Sequence, residues 1–290
     1  MRLGTSSWSF PGWAGIVYDR VGSPQELARV GLEPYARHPL LRAVGIDRTY
    51  YAPISREQFA AYAHVVPDAF RFLVKAHEQC TLTTFPRLPR YGEMQGLRNP
   101  FFLDSAYATD MVVGPVIEGL GAKAGPLLFQ FPPQSYATFG GTAGFAERLY
   151  TFLQALPRGP LYAVEIRNAS LLSSVYADAL VAAGACHCAS VHPTMPDVRT
   201  QIARTARAAA PATVMRWMLG AGQGYEDARD RYQPFDRLVD PDVQTRDAIA
   251  GECVTAIRAS RPAYIIINNK AEGSAPLSVF RLAEAIVSLL

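Results

Sequence analysis

"AYIIINNKAEGSAP", residues 263–276, opens with three consecutive isoleucines and turns polar within two residues. A short apolar run bounded by turn signals is how a strand covered on both faces reads, and such strands belong to parallel sheets flanked by helices. Asn268, Asn269, Lys270 and Glu272 then fall at the carboxyl end of that strand, and Ser274, Ala275 and Pro276 open a helix. What this one unit means depends on how many like it precede it.

Seven do. Strand-like stretches lie at 2–6, 42–47, 70–75, 126–131, 161–167, 185–190 and 213–218, with the last at 263–268. Helical periodicity occupies 24–37, 55–64, 104–121, 143–156, 170–183, 197–209, 240–259 and 276–289. Ser23-Pro24, Ser55 with Gln58, and Asp240-Pro241 with Gln244 supply helix starts. Alternation of this kind predicts parallel strands joined by right-handed crossovers, and a count of eight favours closure into an α/β (β/α)₈ TIM-like barrel. No linker or low-complexity segment divides residues 1–290, which are expected to form one domain. An open doubly wound sheet is the rival, but "GTSSWSFPGWAG" at 4–15 lacks its G-x-G-x-x-G spacing.

A hydrophobic share of 49% and a charged share of 18% suit a globular chain with a sizeable core. No apolar run reaches the roughly 20 residues that a bilayer demands, and "MRLGTSSW" lacks a secretory apolar core, so a cytoplasmic protein without membrane association is expected. Cys80, Cys186, Cys188 and Cys253 are scattered without a C-x-x-C pair and read as reduced thiols. A net charge of +3 does not make nucleic acid a default partner. Only Lys75, Lys123 and Lys270 among 28 basic residues are lysines.

A barrel keeps its chemistry at the carboxyl ends of its strands. In "LYAVEIRN", Ala163, Glu165 and Arg167 share one face and Tyr162, Val164 and Ile166 the other, so Glu165 and Arg167 are expected at the barrel mouth. A carboxylate held beside a guanidinium suits proton transfer or the orientation of a hydroxyl; the plainer reading is an ion pair stitching the barrel top. Asp47, Thr49 and Tyr51 follow strand two with one parity, Gln130 ends strand four, and Arg216 lies on strand seven. Lys75 and Lys270 also sit at strand ends, where an ammonium binds anions or, if desolvated, acts as a base or forms a Schiff base; otherwise each is a rim lysine. The histidines are too few and too dispersed for a metal centre, "CHCASVH" included, and no cofactor motif is present. Loops at 76–103 and 219–239 interleave arginines with aromatics and read as lids, binding loops or disordered crust.

Taken together, "GTSSWSFPGWAGIVY", "FRFLVKA", "GPLLFQFPP", "AVEIRN" and "NNKAEGSAP" resemble the YecE-like family of uncharacterised TIM-barrel proteins, the domain of unknown function number seventy-two. The resemblance implies a cytoplasmic barrel with a polar pocket lined by Trp8, Thr49, Tyr51, Lys75, Gln130, Glu165, Arg167 and Asn268. Gly45, Asp47 and Asn168-Ala169 depart from the family's pattern. The expectation is an enzyme of unassigned reaction that binds a small anionic or polyhydroxylated ligand. Glu165 and Lys75 are its catalytic candidates, and Trp8, Asp47, Thr49, Tyr51, Gln130, Arg167, Arg216, Asn268, Asn269 and Lys270 its binding candidates. A barrel that grips nucleic acid through loop arginines is the alternative.

Overall fold

In the computed structural model the eight strands close in sequence order, each parallel to its neighbours and β8 pairing back onto β1. They are β1 (Arg2–Thr5), β2 (Leu41–Ile46), β3 (Arg71–Lys75), β4 (Ala124–Phe131), β5 (Tyr162–Ile166), β6 (Cys186–Val191), β7 (Thr213–Trp217) and β8 (Ala263–Ile267). The structure describes residues 1–205, 210–220 and 222–290. Among them the helices are α1 (Pro24–Val30), α2 (Leu32–Arg37), α3 (Arg56–His64), α4 (Ser105–Ala108), α5 (Gly114–Leu120), α6 (Gly141–Ala155), α7 (Ser174–Ala183), α8 (Val198–Thr205), α9 (Tyr225–Tyr232), α10 (Val243–Arg258) and α11 (Ala275–Ser288). The fold is the expected (β/α)₈ barrel.

Side-chain alternation sorts the apolar residues into two layers. Ala43, Leu73, Leu128, Ala163, Cys186, Cys188, Val214 and Ile266 fill the barrel. Val164, Ile166, Ile265 and Ile267 point outward into the larger core beneath the helices. The three isoleucines of the opening stretch are therefore divided, one inside and two outside, and each fully buried side chain contributes roughly 1.5–3 kcal/mol. The same parity accounts for "CHCASVH". Both cysteines face the apolar interior, while His187 points the other way and is engaged by the Tyr176 hydroxyl at 3.0 Å and Gln201 Oε1 at 3.3 Å.

Helix boundaries differ from the sequence pattern where local chemistry interrupts a period. The stretch 24–37 divides at Gly31 into α1 and α2. The stretch 104–121 is α4, one wide turn at Thr109–Val113, and α5. Residues 206–209, the end of the helix expected at 197–209, lie outside the described residues. Ser55 and Gln58 do form the reciprocal cap that their spacing predicts, which fixes the start of α3. Helix α9 falls in the stretch read as loop. Its sequence "YEDARDRY" is charged throughout and buries only Ala228 and Tyr232, four residues apart, so it shows no apolar stripe wide enough to register.

β1 and β2 approach closely at Gly4, where a Cβ would stand 1.8 Å from the carbonyl oxygen of Ala43. Backbone that near leaves no room for any side chain. Gly4→Ala is accordingly expected to lower the unfolding free energy by at least about 1–3 kcal/mol, the usual penalty of overpacking, measured by urea denaturation.

Candidate functional site

A chain of alternating charges crosses the barrel at its carboxyl end. Glu165, 0% exposed on β5, accepts from Arg167 Nε through Oε1 at 2.9 Å and from Arg216 Nη1 through Oε2 at 2.7 Å. Arg216, 1% exposed on β7, turns Nη2 to both carboxylate oxygens of Asp47, at 3.0 and 2.8 Å. Burial pushes the Glu165 carboxyl up, but the two guanidinium groups outweigh it and hold the group at about 2. Arg216 is opposed by burial and secured by Asp47 and Glu165, so its pKa is raised further. Both charges are permanent at neutral pH.

Lys75 closes β3 at the edge of this chain and is 8% exposed. Its Nζ lies 3.6 Å from the centre of the Tyr50 ring. Burial lowers its pKa, Asp47 and Glu165 raise it, Arg216 and Arg167 lower it, and the balance is about 7. The neutral amine is then accessible near neutral pH. The other two lysines have conventional partners. Lys123 donates to the carbonyls of Ala63 and Val66 at 2.8 and 2.6 Å and stands 3.4 Å from Asp68, and Lys270 reaches Asn268 Oδ1 at 3.4 Å. Among the described residues Lys75 Nζ has neither a hydrogen bond nor an ion pair.

Tyr50 joins this centre to an open cleft of about 560 Å³ between the loops that follow β3 and β4. Glu78, Thr83, Arg90, Tyr91, Arg98 and Gln134 also line it. Lys75, Glu165, Arg167 and Arg216 do not line it and border it through Tyr50 and Glu78. The cleft is held open by side chain to backbone bonds. Gln134 accepts from Thr83 N at 2.9 Å and donates to Thr81 O at 2.6 Å, while Asn168 brackets Gln134 through bonds of 3.1 Å to its N–H and its carbonyl. Asn99 donates to the carbonyls of Gln79 and Leu82, both at 2.7 Å. Leu82, Phe85 and Tyr91 form a small core of their own. The 76–103 segment is thus an ordered wall. Within it Glu78 accepts from Arg90 Nη2 at 2.8 Å, and burial raises its carboxyl pKa against the opposing hydrogen bond from Tyr91 and the charge of Arg90.

Residues 2–288 match the family model described as protein of unknown function DUF72. The chain belongs to that family. Its fold is shared by a DUF72 family protein of Enterococcus faecalis V583, with 18% identity and a TM-score of 0.64 over 100% of this chain and 97% of that one. A DUF72 family protein of Thermotoga maritima MSB8 aligns with 20% identity and a TM-score of 0.65 over 99% and 98% of the two chains. The crystal structure of SacUVDE aligns at 10% identity and a TM-score of 0.51 over 98% of each chain, a likeness of fold alone. No curated protein matches the sequence.

Within this DUF72 barrel the expected site residues divide into those at the mouth and those in its frame. Lys75, Glu165, Arg167, Arg216 and Asp47 converge. Gln130, adjacent to Glu165 across the β4–β5 ladder, is buried with its Oε1 unpartnered among the described residues. Asn268 donates to Ser6 Oγ at 2.8 Å and accepts from Lys270 N at 3.0 Å, while the Lys270 ammonium lies 4.1 Å from the Tyr225 ring centre, under α9. Trp8 is buried against Tyr62 and donates to Ala28 O at 3.4 Å, on the helix side of the wall. The Thr49 hydroxyl is 2.6 Å from Lys75 O and 2.7 Å from Ile46 O, an internal splice between β2 and β3. Asn269 accepts from Trp13 Nε1 at 3.2 Å and caps α11 through Ala275 N at 2.8 Å, so the first amide of that helix already has its partner.

Strand parity fails after Ile46, because Arg48–Tyr50 is a tight helical turn. Tyr51 is consequently 61% exposed, and Tyr50 takes the place beside Lys75. Tyr50 and Glu78 are the mouth residues that parity misses. Among the described residues no group of three His, Cys, Asp or Glu side chains could hold a metal ion.

Two substitutions test the electrostatics. Glu165→Gln leaves Arg216 and Arg167 short of a counter-charge and is expected to cost about 3–5 kcal/mol of stability; the same change removes a charge that supports the Lys75 ammonium. Lys75→Met acts in the opposite sense. Below about pH 7 folded and unfolded chains both carry the lysine proton, and the fold bears the full penalty of a buried ammonium. Between about 7 and 10.5 only the unfolded chain is protonated, and the penalty fades as pH rises. Lys75→Met is therefore expected to stabilise the protein by at least about 1 kcal/mol at pH 6, with a gain that shrinks by pH 10 in urea titrations.

Proposed function

We propose that this DUF72 protein is an enzyme that transfers a proton to or from a small anionic or polyhydroxylated ligand at the carboxyl face of its barrel. The observation that carries this reading is Lys75, a desolvated amine without hydrogen bond or counter-ion among the described residues, set where a barrel keeps its chemistry. Its pKa is lowered to about 7 while that of nearby Glu78 is raised, and two groups displaced toward each other make an acid and base pair that works near neutrality. Glu165, at about 2 and sealed from solvent, serves in this reading as a positioning residue that holds both arginines.

Arg167 is the anion contact. Its Nε is committed to Glu165, its side chain remains 18% exposed, and its two terminal nitrogens have no partner among the described residues. Arg216, expected beside it as a clamp, has both terminal nitrogens occupied by Glu165 and Asp47. Gln130, with Oε1 unpartnered among the described residues, is the group that could orient a hydroxyl, whereas Asn268 is engaged by Ser6 and Lys270.

The nucleic-acid alternative has less support. Arg229 pairs with Glu226 and Asp230 and Arg231 with Asp240, so the arginines of α9 are neutralised within their own loop. A thermal-shift screen of sugar phosphates and sugar acids should yield ligands that raise the Tm of the wild type and lose affinity in Arg167→Met. A hit that turns over should slow at least about 100-fold in Lys75→Met and in Glu78→Gln, the scale of general acid–base catalysis. Undiminished turnover in both variants would sink the assignment.

A further inference from the structure

The surroundings of Lys75 point to a more specific chemistry than proton transfer, and this step rests on the reading of the mouth as a ligand site. We propose that Lys75 is a nucleophile that forms an imine with a small aldehyde or ketone bearing a phosphate or carboxylate, whose acid group is held by Arg167.

Three observations carry it. An ammonium normally finds hydrogen-bond acceptors, as Lys123 does with two carbonyls and Asp68 and Lys270 does with Asn268 Oδ1, whereas the Lys75 nitrogen lies over an aromatic face and has no acceptor among the described residues. Such a nitrogen loses little by giving up its proton and gains a free lone pair. The charges facing it from every side are Asp47 and Tyr50 after β2, Glu78 after β3, Glu165 and Arg167 on β5, and Arg216 on β7; the Asp47 and Glu165 carboxylates are already tied to arginines. A desolvated lysine beside cationic neighbours is the environment that activates an amine toward carbonyls. Lastly, Arg167, whose charge is felt by the amine, keeps both terminal nitrogens without a partner among the described residues, a planar fork that suits a phosphate or carboxylate a few bonds from the carbonyl carbon.

The step balances without an oxidant or a metal. The amine lone pair adds to the carbonyl carbon, the π pair moves to oxygen, and one proton passes from nitrogen to that oxygen to give a carbinolamine. The nitrogen lone pair then expels the hydroxyl group, which leaves as water with a proton delivered to it, and a C=N bond remains. Glu78, whose carboxyl pKa is raised and whose charge is felt by Lys75, is the acid we assign to that proton. Release reverses the sequence by addition of water.

The scarcity of lysine makes the test sharp, since only three positions and the amino terminus can be labelled. The full chain is incubated with dihydroxyacetone phosphate or pyruvate, reduced with borohydride, digested and mapped by mass spectrometry. One reduced adduct on Lys75 is expected, at a rate that rises between pH 6 and 8, falls at least tenfold in Arg167→Met, and falls likewise when the probe is unphosphorylated dihydroxyacetone. Lys75→Met, expected to fold at least as well as the wild type, should lose the adduct. Absence of an adduct, or labelling confined to Lys123, Lys270 or the amino terminus, overturns the proposal. If anionic ligands still bind and turn over in that case, only the imine is lost and the proton-transfer reading stands. If labelling occurs on Lys75 but no anionic ligand is ever bound or turned over, it is the broader reading that fails.

Discussion

The ion chain at the floor of the carboxyl face depends on one guanidinium. Arg216 reaches from β7 to a carboxylate of β5 on one side and to one just beyond β2 on the other, tying together strands that are not neighbours in the barrel. A charge that deep is stable only if each of its partners is itself held, and Arg167 performs that service for Glu165. The result is a rigid floor whose geometry allows one lysine to go unpaired. Two lysine-to-acid contacts would have been simpler to build and would have quenched the amine.

The walls above this floor have a different origin. Gln134 and Asn99 use side-chain amides to satisfy loop carbonyls and amides that have no ladder to join, which is how a segment as long as 76–103 stays ordered outside a sheet. Asn168, one of the positions where this chain departs from the pattern it resembles, is a member of that network. Its role is to fix the β5 turn against the β4 loop. The stretch after β8 is likewise built as structure. Glu272 pairs with Arg246 of α10 and accepts from Asp242 N at 2.8 Å, and Gly273, at φ +119°, turns the chain where a Cβ would meet the carbonyl oxygen of Arg237 at 2.5 Å.

The barrel was legible in the sequence because its two signals, the period of two in the strands and caps such as Ser55 with Gln58, are local. The same period turns Glu165 and Arg167 to one side of β5, where the structure joins them in an ion pair that Arg216 of β7 extends. It failed at Tyr50, where a helical turn begins one residue after the strand and rotates every later side chain. It also failed for Asn269 and Glu272, which look like site residues in sequence but find partners some 256 and 26 positions away in Trp13 and Arg246. Polar residues at a strand end announce that polar partners exist. Whether those partners are ligand or protein is a tertiary question that no window of sequence contains.

The ion chain has a further property. Arg167, Glu165, Arg216 and Asp47 alternate in sign and sum to zero, so far from the mouth they contribute no net charge, while close by each still acts on its neighbours. The net charge of the group then changes by one with the proton on Lys75. In the proposed reading an arriving anion draws that proton onto the nitrogen, and a proton lost from the nitrogen weakens the hold on the anion. Occupancy and protonation of such a site are one linked equilibrium, so the hold on an anion loosens as the pH rises through the range in which Lys75 gives up its proton.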